Sequence, residues 1–167
     1  MIHQPQHTLV GLIVNAGSRL ELTFADGASF DIDLTSIIAR YPALARLDDT
    51  KLFRRAKLDA RGGYVVWIED DLEMAADNLR HIAVEQAGGI GHERIVEWMA
   101  SSRFTQARAA EALGISRRML GYYLSGEKPI PKTVWLACLG WQAQTRQKRK
   151  RPASKGAAVD STHAFSA

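Results

Sequence analysis

Apolar and polar residues alternate with period two at two places early in the chain. Leu20, Leu22 and Phe24 interleave with Arg19, Glu21 and Thr23, and Phe30, Ile32 and Leu34 interleave with Asp31 and Asp33. That is the pattern of strands with one buried face. Asp26-Gly27 between them is a hairpin signal, because such a turn needs backbone conformations that Gly enters freely. Leu9 to Val14, a nearly continuous apolar run containing Gly11, predicts a preceding strand, with a turn at Asn15–Ser18. Leu34 to Arg40 predicts a short helix ending before Tyr41-Pro42, since a residue before proline avoids the helical region. Helical turns are predicted over Pro42–Leu47 and Lys51–Arg54. A second hairpin is predicted from the alternation of Ala56, Leu58 and Ala60, Gly62-Gly63, and the strand formers Tyr64–Ile68.

Beyond this sheet the period changes. Leu72, Ala75, Ala76, Leu79, Ala83 and Ala87 fall near one stripe and predict a helix over Leu72–Gln86, with Asp70-Asp71 as its cap. Ala87-Gly88-Gly89-Ile90-Gly91 is a break. From His92, a helix is predicted to pack through Ile95, Val96 and Met99. The stretch Phe104–Gly126 then divides into two short helices around Gly114. Thr105 is placed to cap the first, which runs to Leu113, and Ser116 to cap the second, Arg117 to Leu124. Gly114 sits where a left-handed residue closes a helix at the lowest steric cost. Two short helices joined by a turn that contains Gly form the helix-turn-helix pattern. Leu120 and Leu124 give the second helix a core stripe, leaving Arg117, Arg118, Gly121 and Tyr122 outward, with Tyr123 turned to the core. Pro131 opens a last helix containing Val134, Trp135, Cys138, Leu139 and Trp141, expected to cover the core and leave a Trp exposed.

Thr105-Gln106, Ala110 and Leu113-Gly114-Ile115-Ser116, followed by Ser125-Gly126-Glu127-Lys128-Pro129-Ile130-Pro131, resemble the lambda repressor and Cro-like helix-turn-helix superfamily over roughly 92–144. The resemblance implies a five-helix domain whose second motif helix reads the major groove. It implies base-edge roles among Ser116, Arg117, Arg118, Gly121 and Tyr122. Phosphate contacts are implied from Gln106, with Thr105, Lys128 and Lys132 added around the motif. The first half resembles a small bacterial domain of unknown function. The residues that carry this are Leu22-Thr23-Phe24-Ala25-Asp26-Gly27, Phe30-Asp31-Ile32-Asp33, Tyr41-Pro42-Ala43-Leu44 and Trp67 with Asp70-Asp71-Leu72. That family implies a fold and the company of regulatory modules, but no chemistry.

Charge sharpens the division. Residues 1–90 hold 9 Lys/Arg against 13 Asp/Glu, a net −4, and residues 91–167 hold 13 against 5, a net +8, which together make the overall +4. The helix-turn-helix lies in the basic half, as a polyanion-binding domain requires. The expected layout is an α+β domain at 1–88 (an antiparallel sheet with short helices), a linker at 89–91, an all-α domain at 92–148, and a basic then disordered tail at 149–167. Arg146–Arg151 would either add phosphate contacts or complement the helix dipole.

Catalysis is not expected. Glu69, Asp70, Asp71 and Glu73 have no neighbouring nucleophile or phosphate loop, and Gly62-Gly63 and Gly88-Gly89 fit turns. His3, His7, His81, His92 and His163 show no metal-ligand spacing, so neither metal nor cofactor is expected. The lone Cys138 excludes an internal disulfide and fits a buried thiol. No apolar run reaches the roughly 18 residues of a membrane span, and no secretory signal opens the chain, so a cytoplasmic protein is expected. These features point to a homodimeric, sequence-specific binder of double-stranded DNA that regulates transcription. The alternative is an antitoxin-like interaction module whose N-terminal domain binds a protein partner or ligand.

Overall fold

In a computed structural model of the chain, residues 4–150 are described, the side chains of 149 and 150 excepted. Two clusters of buried residues organise them, one built from Leu9 to Ala83 and the other from Ile95 to Cys138.

The N-terminal α+β region holds two three-stranded antiparallel sheets where the sequence suggested one. The first sheet is β1 (Leu9–Asn15), β2 (Arg19–Phe24) and β3 (Ser29–Asp33), in that order. Leu20, Leu22 and Phe24 point to one face and are fully buried, as their period of two requires. The Asp26-Gly27 turn closes as expected: the Asp26 carboxylate accepts from the Ala28 N–H at 3.0 Å, and Gly27 has φ +88°. After β3, α1 (Thr35–Arg40), a 3-10 turn at Pro42–Asp48 and α2 (Thr50–Phe53) lead to the second sheet, β4 (Lys57–Leu58), β5 (Tyr64–Ile68) and β6 (Leu72–Ala75). Val65, Val66 and Trp67 are all buried, Val65 and Trp67 within the apolar cluster and Val66 beside Lys57, Glu69 and Glu73. The Trp67 indole N–H is satisfied by the Phe53 carbonyl at 3.0 Å.

The helix expected over Leu72–Gln86 is corrected. Its first four residues pair with β5 as a hairpin strand, Leu72 opposite Ile68 and Met74 opposite Val65. Only Ala76–Gln86 is helical (α3), with Ala75 at its N-cap and no side-chain cap. Asp70-Asp71 therefore does not cap a helix. It forms the β5–β6 turn, where Asp70 adopts φ +58°, a left-handed state that Asp tolerates better than most residues. The sequence did carry this alternation, with Leu72 and Met74 buried around exposed Glu73. It lost to a longer run of alanines at helical spacing. The Gln86 side chain fastens the end of α3 to β3, accepting from the Asp33 N–H at 2.8 Å and donating to its carbonyl at 2.7 Å.

The C-terminal region is all helical, with four helices among the described residues rather than five. They are α4 (Glu93–Ser102), α5 (Gln106–Leu113), α6 (Arg117–Leu124) and α7 (Lys132–Lys150). In α4 the core side is Ile95 and Trp98, whereas Val96, expected in that stripe, is 46% exposed. Trp98, Phe104 and Trp141 stack edge to face at 5.4 Å between successive ring centroids, tying α4 and the entry to α5 to the long α7. Cys138 is fully buried, and burial pushes its thiol pKa up to about 11, as an inert packing thiol requires. Trp135 and Trp141 are both half-buried, so the exposed apolar residues of α7 are Leu136 and Leu139 instead. The disordered end expected for the tail at 149–167 lies outside the described residues.

Candidate nucleic-acid interface

The corner between α5 and α6 is built by local chemistry. The Thr105 hydroxyl accepts from the Arg108 N–H at 3.3 Å, satisfying one orphan donor at the start of α5. Gly114 closes α5 with φ +66°, and the Ile115 N–H returns to the Ala110 carbonyl at 3.0 Å. Ser116 then repeats the device for α6, accepting from the Met119 N–H at 3.1 Å. Ala109 and Ala110 are buried in α5, and Leu120 and Tyr123 are buried in α6. Small residues on one helix let the other approach closely.

The burial of Leu120 and Tyr123 turns two adjacent rows of α6 outward, Arg117 with Gly121 and Arg118 with Tyr122. Arg117 is exposed and makes no ion pair among the described residues. Gly121 has nothing within 4 Å of where a Cβ would stand, so this side of α6 is open. Arg118 is engaged: its Nε donates to the Tyr122 hydroxyl at 2.8 Å, and its guanidinium lies 5.6 Å from the ring centroid. The Lys128 ammonium sits 4.7 Å from the centroid of the same ring. Tyr122 is half-buried and gathers two cations on one aromatic surface, a cation–π arrangement. The Tyr122 hydroxyl, already accepting from Arg118, retains its own proton to donate.

Thr105, Gln106 and Lys132 are exposed at the starts of α5 and α7. The hydroxyls of Thr105 and Ser116 use their oxygens as cap acceptors and keep their protons for an outside acceptor. Together these groups offer donors and positive charge and no carboxylate, the chemistry that suits phosphate and the acceptor edges of guanine. Glu111, the acidic residue of α5, is occupied by Arg108 at 2.8 Å.

The back of α6 holds residues that the sequence did not single out. The opening segment forms a 3-10 turn at Pro5–His7 in which Gln6 is buried. The Gln6 amide donates to the Ser125 carbonyl at 3.1 Å, and His7 Nε2 donates to the same oxygen at 2.6 Å. Ser125 is the C-cap of α6, where helix carbonyls lack intrahelical partners. Glu85 at the end of α3 accepts from the Gly91 N–H at 2.6 Å and from Arg94 Nε at 2.7 Å. His81 faces His92 across this junction with ring centroids 5.8 Å apart. No local period could reveal these contacts, because the Gln6 and Ser125 positions are 119 residues apart. Among the described residues no group of three or more His, Cys, Asp or Glu converges as a metal site would. No described helix is long and apolar enough to cross a membrane.

Comparison with known proteins matches two separate stretches of the chain. The family described as "Protein of unknown function (DUF2442)" matches residues 10–85, and "Bacterial regulatory protein, Fis family" matches residues 90–124. The helix-turn-helix is thus matched as Fis-type and not specifically as lambda repressor or Cro-like. The curated proteins contain no match. A solved structure titled "Putative DNA Binding Protein NE0471", from Nitrosomonas europaea ATCC 19718, is 37% identical. It superposes with a TM-score of 0.75 over 88% of this chain and 94% of its own. In this chain a stretch matching DUF2442 precedes the helix-turn-helix, and at that identity and coverage the chain belongs to the family of the Nitrosomonas europaea protein.

Proposed function

We propose that this protein binds double-stranded DNA sequence-specifically, without catalysis, as a regulator of transcription. In this reading α6, capped at Ser116, enters the major groove. The observation that carries it is the outward face of α6: Arg117 unpaired beside open Gly121, flanked by the cations gathered on Tyr122. Arg117 has the free bidentate fork that reads guanine N7 and O6. Arg118, supported by Tyr122, has a fixed direction and suits either a base edge or a phosphate. Thr105, Gln106, Lys128 and Lys132 supply phosphate contacts that set the helix in register. The name of the Nitrosomonas relative and the regulatory family matched at 90–124 support the same function.

A homodimer belongs to this reading, since one short helix covers few base pairs and a pair of half-sites multiplies specificity. Exposed Leu136 and Leu139 on α7 offer it an apolar contact. The same reading keeps the layout of an α+β domain at 1–88, a linker at 89–91 and a DNA-binding domain at 92–148. A second reading, an interaction module of the antitoxin kind, draws on β1. That strand is an edge of its sheet, and its Val10 and Ile13 are 61% and 55% exposed.

A salt series of fluorescence anisotropy on a random duplex pool tests the proposal, with the Arg117→Ala/Arg118→Ala variant beside wild type. Binding that weakens steeply with salt, enriches a sequence, and loses that enrichment in the variant is the expected outcome. Affinity without enrichment reduces the protein to a basic phosphate binder. No binding at low salt overturns DNA recognition and favours the protein-partner reading.

A further inference from the structure

Three histidines from separate segments meet where the N-terminal region touches the end of α6. His7 lies in the Pro5–His7 turn, His81 on α3 and His92 at the N-cap of α4. The His92 ring centroid is 5.2 Å from that of His7 and 5.8 Å from that of His81. The protonation pattern is partly fixed by the partners. A carbonyl can only accept, so His7 carries its proton on Nε2, and its Nδ1 is buried with no partner. His81 Nδ1 is likewise buried and unpartnered. A further proton on either ring would create a buried N–H with nothing to receive it, beside two other imidazoles. The backbone closes the space around them: a Cβ on Gly91 would stand 2.0 Å from His81 Nδ1, and one on Gly126 would stand 3.4 Å from His7.

We propose that His7, His81 and His92 form an acid-released clasp that holds the N-terminal region against the C-terminal end of helix α6. Neutral, the rings pack and His7 holds the Ser125 carbonyl. Protonated, they repel one another and strand buried donors, and the junction opens. This concerns the contact between the two regions and stands whether or not α6 reads DNA.

The surroundings set the direction. From α3, Asp77 favours charge on His92 while Arg80 and His81 oppose it. From the N-terminal turn, His7 opposes it too. Glu93 lies 3.9 Å from His81, and the Glu85–Arg94 pair lies beside Gly91. Tyr64 on β5 shares with His7, His92 and Asp77 an adjoining cleft of about 470 Å³, to which α6 contributes uncharged Leu124 and Ser125. Burial first, then the neighbouring imidazoles, bring the His92 pKa down from 6.5 to about 4. A depressed histidine favours the closed state fully above its free value. The closed state is then lost as pH falls from that value toward the lowered one, by about tenfold per pH unit. Burial raises the Glu85 pKa, but hydrogen bonds from Arg94 and the Gly91 N–H outweigh it and hold the carboxyl below its usual 4.5. Its release therefore begins only below 4.5, at the acid edge of the histidine window.

Amide hydrogen exchange of the full chain by mass spectrometry, corrected for intrinsic pH dependence, tests the clasp from about pH 7.5 to about pH 4.5. Protection over residues 88–95 and 121–128 should fall about tenfold per unit below about pH 6.5, while residues 19–24 in the N-terminal core stay protected. His92→Gln, which cannot take the proton, should flatten that fall. His81→Gln serves the same purpose should exchange at 19–24 show that His92→Gln disturbs the fold. Constant protection in wild type overturns the clasp, as does an unchanged fall in a folded His92→Gln or His81→Gln chain.

Discussion

The paired surface of the N-terminal sheets and the outward face of the helical corner present their charge differently. On the N-terminal region several cations are answered at home: Arg19 pairs with Asp31 at 2.7 Å, Arg46 with Asp71 at 2.6 Å, and Lys57 with Glu69 at 2.7 Å, while Arg40 lies over the Tyr41 ring. Arg80 pairs with Asp26 at 2.8 Å and lies over the rings of Phe24 and Phe30 at 4.8 and 5.1 Å. Around the helical corner Arg117 and Lys132 have no carboxylate partner among the described residues, and Arg118 and Lys128 lean on a tyrosine ring, which leaves their charge uncancelled. Exposed ion pairs contribute little stability, roughly 0–1 kcal/mol each, so the contrast concerns what each surface can still bind. A surface whose cations are neutralised is poorly suited to a polyanion. One whose cations are held by neutral groups keeps its field.

Backbone strain separates the regions as well, and supplies the largest expected effect. Gly62 has φ +70°, and an added Cβ would stand 2.1 Å from the Leu9 carbonyl oxygen, where the two sheets are joined by a 2.7 Å hydrogen bond from the Leu9 N–H to the Gly62 carbonyl. Gly62→Ala should therefore cost upward of about 3 kcal/mol in urea unfolding, combining left-handed strain with a backbone collision. Gly114 at the helical corner has φ +66° but open space around it, so Gly114→Ala should cost only the conformational term, about 1–2 kcal/mol. Equal losses at the two glycines would erase the distinction between a crowded junction and an open corner.

Between these falls the test of the charged face. Arg117→Ala should weaken binding to an enriched duplex by about 1–3 kcal/mol and relax its sequence preference. Arg46→Ala, which removes a neutralised cation from the N-terminal surface, should leave duplex affinity unchanged in the same anisotropy assay. Ser116→Ala, losing the cap of α6, should lower thermal stability by about 1 kcal/mol.

The smallest effect is acid loss of N-terminal stability. Asp26 is raised by burial, but the Arg80 hydrogen bond and the Ala28 N–H bring it below its ordinary 3.8, and hydrogen bonds from Thr35 lower Asp33. A lowered carboxyl contributes fully above its free pKa and loses that contribution as pH falls through the folded value. Circular dichroism melts should thus show an added softening below about pH 4, which Asp26→Asn should reduce.

Interactions spanning only a few residues were legible in the sequence. The alternation in β2 and β3, the Asp26-Gly27 turn, the Thr105 and Ser116 caps and left-handed Gly114 all depend on neighbours at most four positions away. They appear where the pattern places them. The candidate α6 residues were legible for the same reason, since burial of Leu120 and Tyr123 fixes which rows face outward. Tertiary structure decided what local period leaves open. It made Leu72–Ala75 a strand because β5 was present to pair with it, against alanine spacing that suits a helix. It set the Lys128 ammonium over the Tyr122 ring and folded Gln6 and His7 onto the Ser125 carbonyl. It brought His7, His81 and His92 together from three segments with no shared motif. Periodicity reports which face of an element is buried, but the partner on that face is chosen only when distant segments pack.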